Sequence, residues 1–302
     1  MPAGGDGDRP RRGGIVLVGT PLGNLGDLSP RAVRALAEAD VIACEDTRVT
    51  RKLLSHAGIT GRHLVAMHGH NEAAAAAELV ARAEAGAVVA VVTDAGMPAI
   101  SDPGTRVVAA AAEAGVAVEV VPGPSAPVAA LVLSGLPTDR FVFEGFLPRK
   151  GGERGARLAA IAAEPRTVVL LESPHRVPAT LGNLLSACGP ERRVAVAREL
   201  TKLHEEVWRG TLAGAVEWMD SATPRGEYVI VVGPAPEAHI EVGGAAVDDS
   251  AIAAAVAARL AAGDAPKAAV AAVTAALGVP RRRVYDVTVA LRKASGQQRD
   301  PQ

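Results

Sequence analysis

The feature that most constrains this chain is the alternation of short apolar runs with helix-patterned segments over residues 15–121. Runs at 15–19, 40–44, 63–67, 87–92 and 116–121 read as strands, the first a continuous apolar run of the kind buried on both faces. Between them, a segment opening at Ser29 and Pro30, then 48–57, 72–84 and 105–113, read as helices. Ser29 fits the N-cap and Pro30 the first helical position, while Gly58 and Gly86 mark stops. Asn71 reads as the cap of the helix over 72–84. Strand–helix alternation with almost no hairpin signal predicts a mostly parallel sheet covered by helices.

Pro122, Gly123, Pro124 and Pro127 break this rhythm and open a short helix ending by Gly135; residues 135–140 read as a hinge. A second set follows. Strands are expected from 141–144, then over 167–171, 193–197, 205–210 and 227–232, with helices over 156–163, 177–187 and 212–219. The stretches around Thr201 and Thr211 suggest an antiparallel element. Beyond a Pro- and Gly-bearing linker, helical patterns at 249–262, 266–277 and 281–293 are separated by a tight break at 278–280. The expected organisation is a flexible tail over 1–14, two α/β/α domains over 15–135 and 136–234, a linker over 235–247 and a helical appendage over 248–302.

Composition removes several function classes. The 32 basic and 33 acidic residues leave a net charge of -1, so the chain does not coat nucleic acid by bulk charge. Aromatics are 2%, too few for a base-stacking platform. Cys44 and Cys188 cannot build a disulfide scaffold or a four-thiolate zinc site, and both read as buried thiols. Residues 1–14 lack the apolar core of a signal peptide, and no apolar stretch reaches the ~20 residues that cross a bilayer. The expected compartment is the cytoplasm, with no membrane partner and no metal.

Three loops gather glycine and proline at strand ends: 19–26, 93–104 and 122–126. Such loops let a stiff backbone approach a ligand closely, and the ends of parallel strands are where ligands bind. They are also what ordinary strand–helix turns look like. The glycines at 19, 23 and 26 do not match a dinucleotide fingerprint, and no Walker lysine or Gly-x-Ser-x-Gly elbow is present. Glu45, Asp46 and Arg48 follow a strand. Asp46 suits a helix cap, which leaves Glu45 as a candidate proton acceptor and Arg48 as an orienting cation. The polar group His68, His70, Asn71 and Glu72 follows another strand. Basic stretches at 148–154, 172–176 and 198–206 read either as a solvated face or as a set that holds phosphates. Arg281, Arg282 and Arg283 open the last helix, in an arrangement resembling a helix-turn-helix.

The segments VGTPLGNLGDLSPRA, ACEDTR, TDAGMPAISDPG, VPGPSA, GFLPRKG, ESPHR and ARELTKLHEE occur in this order between residues 18 and 206. Together they resemble the ribosomal RNA small subunit methyltransferase I family of the tetrapyrrole methylase superfamily. The resemblance runs over about 15–234, and the helical end is similar to that family's helix-turn-helix. It implies two α/β/α domains with S-adenosylmethionine in the cleft between them, and a homodimer. The implied substrate is the ribose 2′-hydroxyl of a decoding-centre cytidine, position 1402 of 16S rRNA, presented by the small ribosomal subunit. By resemblance, Pro21, Leu22 and Gly23 border the cofactor. Asp94, Gly96, Pro98, Ile100 and Ser101 embrace its methionine end and ribose, Ser125 and Ala126 line the pocket, and Phe146 and Leu147 contact adenine. Glu45 is the first candidate base, with Arg48 and Lys150 positioning phosphate or hydroxyl. Arg149, Arg154, His175, Arg176, Lys202 and Arg281–Arg283 are the candidate RNA contacts. Two alternatives stay open: a tetrapyrrole methyltransferase of the same superfamily, and a nucleic-acid-binding regulator built on the terminal helices.

Overall fold

The computed structural model describes residues 13–69, 71–221, 224–236, 248–277, 279 and 281–296. These fall into two compact units, 1–235 and 236–302. Most of the expected tail, His70 and most of the expected linker lie outside the described residues; Gly14, expected in the tail, already belongs to the first strand.

The first unit holds two sheets. The first is wholly parallel: β1 (Gly14–Val18), β2 (Val41–Cys44), β3 (His63–Ala66), β4 (Val88–Val91) and β5 (Val118–Val121), in the order β3-β2-β4-β1-β5. Helices α1 (Pro30–Glu38) and α2 (Thr47–His56) bury one face, and α3 (Glu72–Glu84) and α4 (Thr105–Glu113) the other. Ser29 caps α1 by accepting from Ala32 N at 3.1 Å. Asn71 does not cap α3: its side chain accepts from His68 N at 2.7 Å and donates to Ala66 O at 3.0 Å, so it pins the preceding turn instead. Because all five strands point the same way, every loop that follows a strand opens at one edge. The chain leaves β1 toward β2 and leaves β4 toward β5, in opposite directions across the sheet. That reversal opens a crevice between the two loops.

The second sheet is mixed: β6 (Phe141–Phe146), β7 (Thr167–Glu172), β8 (Arg193–Arg198), β9 (Glu206–Thr211) and β10 (Tyr228–Val232), ordered β6-β7-β10-β8-β9. β10 runs antiparallel to β7 and β8, and β9 antiparallel to β8. β6 outlasts the expected 144 because the ladder skips Glu144 and resumes at Gly145, a bulge. Helices α6 (Gly152–Ala163), α7 (Val177–Cys188) and α8 (Leu212–Ser221) cover one face. α6 begins before the expected 156: its glycines read as loop, while the Arg154 side chain ties its first turn to α7. The other face is covered by α5 (Ala126–Ser134), which precedes the expected boundary at 135 yet buries Ala130 and Leu131 against Val169, Val229 and Val231. Leu22, from the loop after β1, joins that cluster. A buried leucine of this kind contributes roughly 1.5–3 kcal/mol, so loop and helix both fasten to the second sheet.

The second unit is helical. α9 (Asp249–Ala261), α10 (Pro266–Leu277) and α11 (Arg281–Gly296) surround Ile252, Val256, Val270, Val273, Val279 and Val284. Asp248 caps α9 through Ala251 N at 2.8 Å. Positions 278 and 280 of the expected break lie outside the described residues. Cys44 is buried, as expected; Cys188, at the end of α7, is only half-buried.

Candidate functional site

The loops after β1, β4 and β5 meet at the carboxyl edge of the first sheet. Thr20 and Gly96 exchange backbone hydrogen bonds of 2.9 and 3.2 Å, and Thr20 Oγ1 donates to Thr93 O at 3.1 Å. Gly19 and Gly123 touch backbone to backbone: a Cβ on Gly19 would stand 2.6 Å from the Gly123 backbone, so neither position admits a side chain without displacing the other loop. This joins the segments carrying Pro21, Leu22 and Gly23, those carrying Asp94, Gly96, Pro98, Ile100 and Ser101, and those carrying Ser125 and Ala126. Leu22 is nearly buried, whereas Ile100 is 46% exposed. Ala99 and Ser101 hold φ of +69° and +64°, a region that residues with a Cβ enter rarely. The loop is tied at its end by Glu72, whose Oε1 accepts from Gly104 N at 2.8 Å and Arg106 N at 3.0 Å. Glu72 thereby caps α4 from α3, a role its sequence neighbours do not signal.

The second sheet closes on this edge. A Cβ on Gly145 would stand 3.2 Å from Ser101 Oγ, and one on Gly23 would fall on the Lys202 side chain. The ends of β6 and β8 therefore border the loops after β4 and β1. Phe146 is 52% exposed, but Leu147 is turned into the core with Ile161 and Val168. Of the two side chains expected to meet adenine, only Phe146 offers a surface. Its neighbour faces inward, as consecutive residues of an extended chain point to opposite sides.

Carboxylates crowd the first edge. Asp46 caps α2, accepting from Arg48 N at 2.8 Å, and pairs with the Arg48 guanidinium at 2.7 Å. That pairing holds Asp46 down to about 2. Arg48, expected as an orienting cation, makes this pair while its side chain stays 83% exposed. Thr93 Oγ1 donates to Asp102 Oδ2 at 2.7 Å and lies 3.5 Å from Glu45 Oε2. Burial pushes the Glu45 carboxyl up, and the charges of Asp102 and Asp94 add to the push. Asp94, which accepts from Asp46 N at 3.1 Å, is also raised by burial. Asp102 is raised by burial and then by Asp94 and Glu227. Among the described residues, no ion pair engages Glu45, Asp94 or Asp102, and no cluster is arranged to hold a metal ion. Sequence reasoning passed over Thr93 and Asp102; their place in a 12-residue structureless loop was the available signal.

Basic groups mark the second edge. Arg149, Lys150 and His175 are exposed. Arg154 and Arg176 bond to the protein itself, through a Leu147 carbonyl, a Pro148 carbonyl and buried Glu172. Lys202 bonds Glu199 at 2.9 Å and Glu227 at 3.3 Å; burial opposes its charge, but these two acids outweigh it and hold its pKa up. In the helical unit, Arg281 and Arg282 are exposed and Arg283 donates to Asp249 at 2.9 Å.

The model of the tetrapyrrole (corrin/porphyrin) methylases matches residues 14–216. The ribosomal RNA small subunit methyltransferase I of Synechocystis sp. is 51% identical over 224 residues, covering 74% of this chain and 80% of that protein. Among solved structures, uroporphyrin-III C-methyltransferase from Thermus thermophilus superposes with a TM-score of 0.53 at 28% identity, covering 74% of this chain and 94% of that one. A further structure of a uroporphyrin-III C-methyltransferase from that organism, complexed with S-adenosyl homocysteine, gives a TM-score of 0.52 at 24% identity over 73% of this chain and 97% of that one.

Proposed function

The chain belongs to the tetrapyrrole methylases and, within them, to the ribosomal RNA small subunit methyltransferase I family, and from that premise we propose that it methylates the 2′-hydroxyl of a decoding-centre cytidine, position 1402, in 16S rRNA. The donor is S-adenosylmethionine, and the substrate is the small ribosomal subunit.

The observation that carries this reading is the cation-poor cluster of Glu45, Asp94 and Asp102 at the crevice of the first sheet. A donor bearing a sulfonium and an ammonium suits such a cluster, whereas a phosphate-rich ligand does not. The Gly19–Gly123 contact also brings backbone rather than side chains to the crevice, which suits a ligand held close to the main chain. Pro21, Gly23, Asp94, Gly96, Pro98, Ile100, Ser101, Ser125, Ala126 and Phe146 are the residues that would hold the donor, with Leu22 and Leu147 supporting them from beneath. When bound, S-adenosylmethionine supplies the electrophilic methyl carbon.

The chain's part is to orient the acceptor and handle its proton. A ribose hydroxyl is a weak acid, and a positioned base contributes about 10²–10⁴-fold. Glu45 takes that proton at Oε2, and its raised pKa brings it closer to the operating pH than an ordinary glutamate. Thr93 sits beside that oxygen. Lys150, with Arg149 and His175, meets the RNA backbone. Arg281 and Arg282 add a second contact; like charges at a helix N-terminus oppose the helix dipole, which an RNA phosphate would relieve. α5 leaves Val128, Val132 and Leu133 exposed, and edge strand β5 leaves Val118 and Val120 exposed. Exposed apolar side chains of this kind support a homodimer, checked by sedimentation of the wild type against Val132→Asp.

The direct test is transfer of labelled methyl from S-adenosylmethionine to small subunits purified from a strain lacking this protein, with the modified ribose mapped. Label on the 2′-oxygen of that cytidine is expected. Label on a base, or on added uroporphyrinogen instead of RNA, overturns the reading.

A further inference from the structure

Arg154 and Arg176 carry positive charge in the basic segments of the second sheet, yet their donors are spent on the protein. Arg176, immediately before α7, donates through Nη2 to Leu147 O at 2.7 Å, and its Nε lies 3.3 Å from Glu172 Oε1. Arg154, in the first turn of α6, donates from Nη1 to Pro148 O at 2.9 Å, from Nη2 to Thr180 Oγ1 at 3.0 Å and from Nε to Asn183 Oδ1 at 3.0 Å. Thr180 Oγ1 in turn donates to Glu172 Oε2 at 2.7 Å, and Ser173 N donates to Glu172 Oε1 at 2.9 Å. Glu172 is 2% exposed and Thr180 1%. Two successive carbonyls of one loop are thus gripped by guanidinium groups, one from the first turn of α6 and one from the residue that precedes α7, and both grips end on one buried carboxylate. The next two residues along that loop, Arg149 and Lys150, are exposed and have no side-chain partner among the described residues.

We propose that Glu172 anchors a two-arginine clamp, one arm through Arg176 to Leu147 and the other through Thr180 and Arg154 to Pro148, whose task is to fix the loop that presents Arg149 and Lys150 to the phosphates of the RNA substrate. Glu172, Thr180, Arg154 and Arg176 are positioning residues; the RNA-facing groups are the two that follow. The inference rests on the reading of Arg149 and Lys150 as RNA contacts. Its physical basis is economy of ordering. A loop that ends in Gly151 and carries two long cationic side chains would lose much freedom on meeting RNA, and a loop already held at two carbonyls loses less. A buried carboxylate is stable only when its oxygens are fully bonded, so the network holds or fails as a unit. Lysine cannot replace Arg176, because a single ammonium does not offer the planar fork that serves the carboxylate and the carbonyl together.

Thr180→Val tests the clamp from a position that cannot touch RNA. We expect the KM for unmethylated small subunits to rise about tenfold, the size set by a lost hydrogen bond to a charged group, with kcat and donor affinity within about twofold. Thr180→Ser restores the hydroxyl and the KM. Arg176→Lys, half-exposed and so less exposed to folding failure, behaves like Thr180→Val. Combining either with Arg149→Ala and Lys150→Ala gives less than the sum of the separate effects. If Arg149→Ala with Lys150→Ala leaves KM unchanged, the underlying RNA reading fails. If that pair raises KM while Thr180→Val and Arg176→Lys do not, or if the effects add in full, the clamp alone is overturned. A uniform loss of kcat and of both affinities in Arg176→Lys also overturns it, since that marks a general folding role.

Discussion

The two sheet edges that face each other across the crevice carry opposite electrostatic arrangements. On the first, Glu45, Asp94 and Asp102 gather with no ion pair to any of them among the described residues, and Arg48, paired with Asp46, offsets the burial of Asp94 only in part. On the second, Arg176 is matched by Glu172, Arg198 by Glu206 and Lys202 by Glu199 and Glu227, while Arg149 and Lys150 on one loop have no ion-pair partner among the described residues. Uncompensated charge is costly to keep near other like charges, so its sign indicates what each edge is built to meet. The acid-rich edge suits a cationic methyl donor, and the basic loop suits a polyanionic acceptor. A single uniformly charged pocket would repel one of the two reactants.

The sharpest way to break this division is Glu45→Gln, which keeps the shape but removes proton acceptance. It is expected to lower kcat by about 10²–10⁴-fold in single-turnover methyl transfer at saturating donor, with a smaller loss of donor affinity from the removed carboxylate and subunit affinity unchanged. In the wild type, activity falls as the pH drops through the Glu45 pKa, which lies above the ordinary 4.5, and the variant loses that limb. Asp94→Asn comes next. Removing one carboxylate beside a cation weakens S-adenosylmethionine binding by about tenfold in calorimetry and leaves subunit affinity intact. Arg149→Ala with Lys150→Ala is the mirror experiment: subunit affinity falls several-fold, donor affinity holds, and the slope of log affinity against log salt shrinks by roughly 0.7–0.9 per lost phosphate contact. If Asp94→Asn and this pair each disturbed both ligands equally, the division of labour between the edges would be lost.

The smallest effect sharpens the acid side. Asp102 titrates higher folded than its ordinary 3.8, so folding takes up a proton in the window between the two values, and stability falls as pH rises through it. Asp102→Asn keeps an acceptor for Thr93 but removes that penalty. Tm at pH 7 is expected to rise, and the gain should vanish in scans below pH 3.8. An unchanged or lowered Tm at pH 7 would mean that the charge is better compensated than its surroundings indicate.

Much of the first sheet was legible in the chain because each βα step is a local event. Ser29 and Pro30 mark a helix start wherever they occur before a helical pattern, and Asp46 caps α2 as its position suggests. The loops over 19–26, 93–104 and 122–126 announced themselves by glycine and proline. Asn71 misled for the same local reason: its side chain reaches back to His68 and Ala66, a choice among nearby backbone groups that its residue type leaves open. Less could be read of the site. Nothing near Arg154 or Arg176 shows that their donors end on carbonyls 6 and 29 residues away.

Sequence alone determined the alternation of strands and helices, the glycine- and proline-rich loops, the helical end and the family, because each depends on patterns or ordered motifs within short stretches. Only the tertiary structure decided which charges stay unmatched, that α5 and Leu22 fasten to the second sheet, and that Leu147 turns inward. Those outcomes rest on which distant groups come within about 3 Å of one another, and hydrogen bonding and burial are settled by that proximity rather than by residue type.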